Sequence, residues 1–515
     1  MNGAEALIAT LHDCGVDVCF ANPGTSEMQL VAAIDGHASM RAVLGLFEGV
    51  VTGAADGYGR MADKPAATLL HLGPGFGNGM AYVHNARKAG SPMINLVGDH
   101  ATYHLHYNAP LTSDVAGVVR PMSDWVRTSR SPRDLALAGA EADAAARTWP
   151  GQIATLIVPA DHAWTEGADV AAPRAAPAVP QVPASVIAEA AEALRTSDGP
   201  AALFLGGRAV REESLLLAGK IAAATGARLI SETFSARLQR GAGRVASERL
   251  PYPGEQAADT LKDFKTIVFC GCEPPVSFFA YPGKPGWLSP EGAKLVRLAS
   301  AREDGPAALA ALAEALDATA MSPALQPAFA PPCTVGKLDI MKIGAILAEM
   351  IPDQAIISDE SATAGFAIFP MTAGAKPHDW MMVTGGAIGQ GMPVAVGAAV
   401  ACPDRKVIAL QADGGGMYTN QALWTMAREK LDVTTVVFNN GSYAILNIEL
   451  ARVGVANPGP KALSMLSLRD PDIDWVKLSE GMGVPARRAT TAEEFREALA
   501  EALAHKGPRL VEAII

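Results

Sequence analysis

Short apolar runs alternate with longer amphipathic segments along the whole chain. Typical runs are CFANPG from Cys19, AALFLGG from Ala201 and KVIALQADGGG from Lys406, and amphipathic segments lie between such runs. Because buried parallel strands alternate with their crossover helices in this way, the pattern predicts an α/β fold. Segments 168–185 and 320–334 are rich in Pro and Ala and lack this periodicity. They therefore predict linkers between domains.

The linkers divide the chain into three predicted domains, 1–167, 186–319 and 335–515, each with a doubly wound parallel sheet. A length of 515 residues is enough for about three domains with well-buried cores. The apolar fraction of 49% and the charged fraction of 18% are typical of a globular protein. The net charge is −11 and there is no basic run, which argues against a nucleic-acid partner.

The sequence predicts neither export nor membrane insertion. Its first fifteen residues lack a basic region followed by an apolar core, so we expect no signal peptide and a cytoplasmic location. The apolar stretch 385–402 is interrupted by Gly389, Gly391 and Pro393. This interruption favours a glycine-rich turn leading into a buried helix over a membrane span.

Two polar residues follow predicted strands of the third domain. Asp413 comes after KVIALQA and Asn440 after VTTVVFN, so both are expected at the carboxyl edge of a parallel sheet, where such sheets bind ligands. Gly414 and Gly415 let the backbone approach an anion closely, and the helix N-terminus behind them favours negative charge. A carboxylate, an amide oxygen and phosphate oxygens suit Mg²⁺. The pattern therefore indicates a diphosphate and magnesium site, although each glycine-rich segment is also compatible with a plain tight turn.

One acid stands out in the first domain. Glu48 ends a predicted apolar strand and begins a helix rich in Gly and Ala, which places it at a buried junction. It is either a functional carboxylate or a first-turn acid that complements the helix dipole.

Together these segments resemble the cofactor signature of the thiamine diphosphate (ThDP) decarboxylase and carboligase family. The family's signature opens with Gly-Asp-Gly, whereas this chain has Ala412-Asp413-Gly414, and Asn440 follows 27 residues after the Asp as the second residue of an Asn-Asn pair. Glu48, with Ala-Asp-Gly-Tyr downstream at 55–58, is similar to the family's catalytic glutamate region. Segments such as HLGPGFGNGM from His71 are most similar to the benzoylformate decarboxylase branch, with acetolactate-synthase-like proteins also near.

The resemblance implies a pyrimidine-binding first domain, a middle domain and a diphosphate-binding third domain. It implies that Glu48 hydrogen-bonds the aminopyrimidine ring of ThDP, and that a bulky residue lies beneath the two rings of the cofactor. It also places Mg²⁺ on two side chains and one backbone carbonyl. The implied metal ligands are Asp413, Asn440 and Ser442, and the implied cofactor-binding residues are Glu48, Ser361, Thr363, Gly386, Ile388, Gly414 and Gly415.

The resemblance also implies a substrate pocket. Thr25 stands where the benzoylformate decarboxylase branch has a substrate-contacting Ser, and His71 matches an active-site histidine, a natural proton carrier near neutral pH. The branch's second histidine is replaced by Phe279. The candidate replacements lie in a loop that approaches the reacting centre in the family, with a polar surface or interface loop as the alternative. They are His100, Tyr103, His104, His106 and Tyr107, of which we select His104 and His106. Further residues expected to line the pocket are Tyr443, Ala444 and Leu446.

The implied activity is cleavage of a carbon–carbon bond of a 2-oxo acid, which releases CO₂, with or without carboligation. Two alternatives are an acetolactate-synthase-like carboligase and a non-catalytic ThDP-binding or regulatory member of the family. In the family, Glu48 of one subunit and Asp413 of another would serve one cofactor, so a homodimer or homotetramer is expected. The middle domain lacks a complete GxGxxG motif, and we assign it no second cofactor.

Overall fold

A computed structural model describes residues 1–515 of the chain. Its first sheet has six parallel strands, which are separated along the chain by helices. The helices are α1 Gly3–Asp13, α2 Met28–Asp35, α3 Glu48–Ala62, α4 Leu72–Ala89, α5 Val115–Val119, α6 Pro132–Ala146 and α7 Ala160–Trp164. The strands are β1 Val18–Asn22, β2 Arg41–Leu44, β3 Ala66–Leu70, β4 Met93–Asp99, β5 Trp125–Thr128 and β6 Ile153–Pro159, in the spatial order β2-β1-β3-β4-β6-β5.

The second sheet has five parallel strands and lies in the middle segment of the chain. Its helices are α8 Ala184–Arg195, α9 Glu212–Thr225, α10 Gly254–Leu261 and α11 Gly305–Ala315. The strands of this segment are β7 Ala201–Leu205, β8 Arg228–Ser231, β9 Leu238–Arg240, β10 Glu248–Arg249, β11 Thr266–Cys270 and β12 Lys294–Ala299. Within the sheet the order is β10-β8-β7-β11-β12.

The third sheet has seven strands and carries the C-terminal part of the chain. Its helices are α12 Ile340–Met350, α13 Gly365–Met371, α14 Gly391–Ala401, α15 Asp413–Gly416, α16 Ala422–Arg428, α17 Ala444–Arg452, α18 Pro460–Ser464, α19 Trp475–Gly481 and α20 Ala492–Ala504. The strands are β13 Ala355–Glu360, β14 His378–Met382, β15 Val407–Ala412, β16 Val433–Asn439, β17 Ala486–Ala489 and β18 Arg509–Ile514, in the order β17-β18-β16-β15-β13-β14-β9. The predicted α/β fold with three parallel sheets is thus confirmed.

One strand departs from the predicted pattern. β9 belongs to the middle segment but pairs antiparallel with β14 at the edge of the third sheet, with Arg240 opposite His378 and Leu238 opposite Trp380. The third sheet is therefore mixed rather than wholly parallel. Because an uncovered edge strand exposes unpaired backbone groups, β9 protects the edge of β14 and ties the middle segment to the C-terminal one.

Helices α3 and α14 join the first and third sheets. They pack so closely that a Cβ atom on Gly397 would lie 1.8 Å from the carbonyl oxygen of Ala54. A single apolar cluster includes Val50, Val97 and Val407, so the two sheets share one core. The predicted buried helix after a glycine-rich turn is confirmed as α14. No helix of the structure combines the length and the apolar character needed to cross a membrane.

Candidate active site

Four neighbouring strands of the first sheet end in potential functional side chains. β1 leads to Thr25 and Glu27, β2 to Glu48, β3 to His71 and β4 to His100. Since the strands are parallel and adjacent, all of these residues gather at one carboxyl edge, as expected for an α/β ligand site. We call this group the N-terminal half-site.

His71 is held by a buried carboxylate that the sequence did not indicate. Its Nδ1 lies 2.8 Å from Oε2 of Glu27, whose side chain is fully buried. The Ser26 hydroxyl donates to Oε1 of Glu27 and lies 3.2 Å from the same ring nitrogen. Because a carboxylate accepts hydrogen bonds, Nδ1 carries a proton and Nε2 is the nitrogen left to face a ligand.

The chain makes room for this pair with two glycines. A Cβ atom on Gly24 would lie 2.1 Å from Nδ1 of His71, and one on Gly98 would lie 1.8 Å from Oε1 of Glu27. A side chain at either position would displace the pair. Gly24, the last residue of the segment Asn-Pro-Gly at 22–24, therefore allows His71 to approach the turn after β1 closely.

Glu48 begins α3 and is 9% exposed. Its Oε2 accepts a hydrogen bond of 3.0 Å from the Asn78 side chain. No group of the chain donates to its other oxygen, Oε1, so one carboxylate oxygen remains for a ligand. No side chain caps the N-terminus of α3.

A cavity of about 250 Å³ opens beside this half-site. The predicted residues Thr25, His71 and His104 line it, together with His100 and Tyr103 of the same loop as His104. His106 is not part of the lining; it is exposed, and its ring centre lies 3.8 Å from that of Tyr107 with the two rings tilted by 39°. Phe279 also lies outside this cavity and is 61% exposed, in the loop between β11 and β12.

Asp413 is the centre of a second group at the carboxyl edge of the third sheet, which we call the C-terminal half-site. Its Oδ1 accepts from the backbone N–H of Gly414 at 2.8 Å, and its Oδ2 accepts from those of Asn440 and Gly441 at 3.1 and 2.8 Å. The Asn440 side-chain oxygen accepts from the backbone N–H of Ser442 at 2.8 Å. Burial raises the pKa of the Asp413 carboxyl, and these N–H donors oppose that shift.

Most of the residues predicted for cofactor and metal binding lie around one cavity. Gly386 and Leu446 are not part of its lining; Gly386 has a φ of 80° in the turn before Ile388, a conformation that favours glycine. The predicted residues around this cavity are Ser361, Thr363, Ile388, Asp413, Gly414, Gly415, Asn440, Ser442, Tyr443 and Ala444.

The turn that carries Ile388 is fixed from two sides. The carboxylate of Glu360, at the end of β13, accepts 2.6 Å hydrogen bonds from the backbone N–H groups of Gly389 and Gly391. From helix α4, the Tyr82 hydroxyl donates to the Ile388 carbonyl at 3.0 Å and Asn85 donates to that of Ala387 at 2.7 Å. The sequence analysis missed Glu360, and the signal was an acid closing an apolar strand directly before Ser361.

Burial raises the pKa of Glu360 to about 7, against the opposing effect of the backbone N–H donors. Since Glu360 holds the backbone of the turn, it acts on the site through Ile388.

The donor set of the C-terminal half-site fits a magnesium diphosphate. It offers the Asp413 carboxylate and one amide oxygen near glycine backbone, and no group of three or more His, Cys, Asp or Glu side chains in residues 1–515 is arranged to hold a metal ion. Mg²⁺ retains waters and takes its remaining ligands from phosphate oxygens, so a site with a single carboxylate suits it better than a site for a metal held by protein alone.

The two half-sites do not share a cavity within one chain. Thr25 and His71 line one cavity, and Asp413 and Asn440 line another. With three α/β sheets, an acid-rich half-site and a glycine-rich half-site, the fold and site define a class of enzyme that uses a diphosphate cofactor.

Comparisons with known proteins identify the cofactor. The family described as "Thiamine pyrophosphate enzyme, N-terminal TPP binding domain" matches residues 1–118, and its C-terminal counterpart matches 364–513. A Mycobacterium tuberculosis protein named "Putative acetolactate synthase large subunit IlvX" is 52% identical, with 100% of this chain and 99% of that protein covered. The chain therefore belongs to the thiamine pyrophosphate (ThDP) enzyme family.

More distant relatives include decarboxylases. Benzoylformate decarboxylase from Pseudomonas aeruginosa is 27% identical, with 99% of this chain and 98% of that protein covered. The solved structure of the thiamine diphosphate-dependent 4-hydroxybenzoylformate decarboxylase from Rhodococcus jostii RHA1 is 25% identical, with 99% and 98% of the two chains covered and a TM-score of 0.87. The resemblance to this family is confirmed.

Proposed function

We propose that the protein is a ThDP- and Mg²⁺-dependent enzyme that cleaves a 2-oxo acid with release of CO₂. The observation that carries this proposal is the pairing of two complementary half-sites. One presents Glu48 with a free carboxylate oxygen, and the other presents Asp413 and Asn440 beside glycine backbone. When bound, ThDP supplies a carbon nucleophile that attacks the substrate carbonyl and accepts the electron pair left as CO₂ departs.

We assign the roles of the half-sites by their chemistry. Glu48 would hold the aminopyrimidine ring through Oε1 as an acid–base group, and Ile388 would support the cofactor in the cavity. Gly414 and Gly415 would offer backbone to the diphosphate, and Asp413 would hold Mg²⁺ with the side chain of Asn440 and the carbonyl of Ser442. Ser361 and Thr363 complete the same wall of the cavity.

We further propose that each cofactor lies between two subunits, in a homodimer or a homotetramer. The separate cavities of the two half-sites within one chain support this arrangement. Glu48 of one subunit would then meet Asp413 of another. We expect a cytoplasmic protein without a nucleic-acid partner.

His71 is the proton carrier that we propose for product release. The Glu27 carboxylate fixes its ring so that Nε2 faces the substrate, and Thr25 adds a hydroxyl on the same cavity. His104 lines that cavity too and is our candidate for the second donor, since Phe279 has no proton to give. His106 is the weaker candidate because it lies outside the cavity.

The replacement of a donor by Phe279 favours carboligation as a second candidate function. Slow protonation after CO₂ release leaves time for attack on a second carbonyl compound. The acetolactate synthase relatives support this alternative, and the benzoylformate decarboxylases support simple decarboxylation. Tyr443 and Ala444 at the cofactor cavity suit a substrate with an apolar side chain.

A substrate panel tests the proposal. The purified chain is incubated with ThDP, Mg²⁺ and either pyruvate or benzoylformate, with and without an acceptor aldehyde, and both CO₂ and organic products are measured. We expect CO₂ release that requires ThDP and Mg²⁺. An aldehyde product indicates decarboxylation, and a hydroxyketone or acetolactate indicates carboligation. Absence of CO₂ together with exchange of the cofactor's C2 proton indicates a different substrate, whereas absence of both supports the non-catalytic alternative.

A further inference from the structure

A cavity of about 570 Å³ lies between the middle segment and helix α13, apart from both half-sites. One wall comes from β9 and β10 and the residues between and after them, and the opposite wall comes from α13. The lining combines aromatic and apolar side chains with two arginines and one acid, Glu248, which pairs with Arg228. The residues that matter here are Arg240, Arg249, Tyr252, Phe366, Phe369 and Ala373.

Arg240 and Arg249 both contact the aromatic ring of Phe369. The guanidinium of Arg240 lies 3.8 Å from the ring centre of Phe369, and that of Arg249 lies 4.9 Å from the same centre. Cation–π contact with one ring stabilises each cation, but two like charges so close repel each other. Burial and the nearby Arg249 lower the pKa of Arg240 to about 9, so Arg240 carries a charge near neutral pH. Burial also lowers the pKa of Arg249.

Neither arginine has an anionic partner. Arg240, which is 8% exposed, donates from Nη2 to the Phe369 carbonyl at 2.7 Å, and its buried Nη1 has no hydrogen-bond partner. Arg249 donates only to the Thr233 carbonyl, at 2.6 Å. Asp359 is the carboxylate that acts on both electrostatically, but its oxygens are already bonded to Ser361 and Trp380.

Neighbouring arginines of the same region are paired. Arg237 binds Asp379 at 2.5 Å, and Arg244 binds Glu212 at 2.8 Å. A buried cation without a counter-ion is destabilising unless a ligand supplies the negative charge. Arginine forks favour planar carboxylates, and the aromatic walls favour an apolar body.

We propose that this cavity is a binding site for a small organic carboxylate with an aromatic or aliphatic body, held by Arg240 and Arg249. Phe366 and Phe369 would pack against the body of the ligand. α13 begins directly after the turn Ala362–Ala364, whose residues line the cofactor cavity. The proposed site therefore lies one short helix away from the C-terminal half-site, and it does not depend on the proposed reaction.

Calorimetric titration of the full chain, loaded with ThDP and Mg²⁺, with sodium benzoate tests the site at constant ionic strength. We expect saturable binding of benzoate, no binding of the neutral isostere benzyl alcohol, and at least tenfold weaker binding of inorganic phosphate, which lacks an apolar body. Arg249→Gln should weaken benzoate binding at least tenfold. Arg297→Gln is the matched control, because Arg297 and its partner Glu273 both lie outside the cavity, and it should bind benzoate as the wild type does.

Two further variants keep the test decisive. Ala373→Leu fills the cavity while it retains both arginines, so it should also weaken benzoate binding even if Arg249→Gln folds poorly. His71→Ala alters the candidate active site, and it should leave this binding unchanged. The proposal is overturned if the wild type does not bind benzoate, if phosphate binds equally well, or if His71→Ala abolishes binding while Arg249→Gln and Ala373→Leu retain it. A failed substrate panel would leave this outcome unaffected.

Discussion

The two half-sites occupy the same position on two similar sheets, yet they are built from opposite kinds of residue. The N-terminal half-site contains the titratable side chains Glu27, Glu48 and His71, with a hydrogen bond between two of them. The C-terminal half-site presents glycine backbone and, among its candidate metal ligands, a single carboxylate, that of Asp413. We infer from this contrast that the first edge would move protons and the second would provide affinity for the cofactor.

Helix α4 connects the two regions within one chain. His71 precedes its first residue, Asn78 on its second turn holds Glu48, and Tyr82 and Asn85 fix the turn of Ile388. A substitution in one half-site can therefore disturb the other through this helix.

Glu48→Gln should have the largest effect. The Gln side-chain oxygen can still accept from Asn78, so the fold and ThDP affinity should stay within a few fold of wild type. Loss of the carboxylate should lower turnover by about 10³-fold, within the range for loss of an acid–base group. CO₂ release and calorimetry with ThDP measure the two effects. Glu189→Gln, an exposed acid of α8, is the control, and near-normal turnover of Glu48→Gln would remove Glu48 from the mechanism.

Asp413→Asn should lower the affinity for the cofactor and the metal more than it lowers turnover, the reverse of Glu48→Gln. The amide keeps an acceptor but loses the negative charge, so the apparent affinity for Mg²⁺ and ThDP should fall about 100-fold, with turnover partly restored at high concentrations of both. Titration of activity with Mg²⁺ measures this. Asp404→Asn, at the opposite end of β15 and exposed, should behave as wild type. A loss of turnover that no concentration of Mg²⁺ restores would contradict the division between the two half-sites.

The sequence predicted the parts of the site that lie within short motifs. Asp413, Asn440 and the helix that begins at Glu48 were visible because strand, turn and helix are local patterns. The Glu27–His71 pair was not visible, since its residues lie on different loops and only the order of β1 and β3 in the sheet brings them together. Glu360 is visible in the sequence as an acid that closes an apolar strand, but its hydrogen bonds to Gly389 and Gly391 join segments about 30 positions apart and were not predicted.

Contacts between distant segments were also missing from the prediction of the fold. Alternating apolar runs predicted the three α/β sheets, but not the antiparallel pairing of β9 with β14. β9 has three residues, and its partner lies more than 130 positions away along the chain. No local pattern in the sequence therefore predicts that the two strands pair.

Glu27→Gln tests whether the proton chemistry depends on the orientation of His71. The variant keeps a hydrogen-bond acceptor but cannot stabilise a protonated imidazole, so turnover should fall by a few tens of fold, with little change in KM. Steady-state kinetics across a pH series measures both effects. Ser26→Ala retains the Glu27–His71 hydrogen bond and should lower turnover less than threefold. Equal losses in the two variants would indicate that the loop after β1, rather than the buried carboxylate, positions His71.

Glu360 is the exception in the C-terminal half-site, because it is titratable but bonded to backbone. Burial raises its folded pKa to about 7, from an ordinary value of 4.5. A group with a raised pKa binds its proton more tightly in the folded state, so its contribution to stability is present below the unfolded pKa and is lost as the pH rises through the folded pKa. Between pH 5 and 7 we therefore expect wild type to lose about 1 to 2 kcal/mol more stability than Glu360→Gln.

Unfolding by urea at pH 5, 6 and 7 measures this smallest effect. Glu232→Gln is the matched control, since burial raises the pKa of Glu232 to about 7 as well, in the middle segment. Both variants should flatten the dependence of stability on pH, but only Glu360→Gln should also weaken ThDP binding, because only Glu360 holds the turn of Ile388. If Glu360→Gln instead lowered turnover at saturating ThDP as strongly as Glu48→Gln does, proton chemistry would belong to both half-sites and the contrast between them would fail.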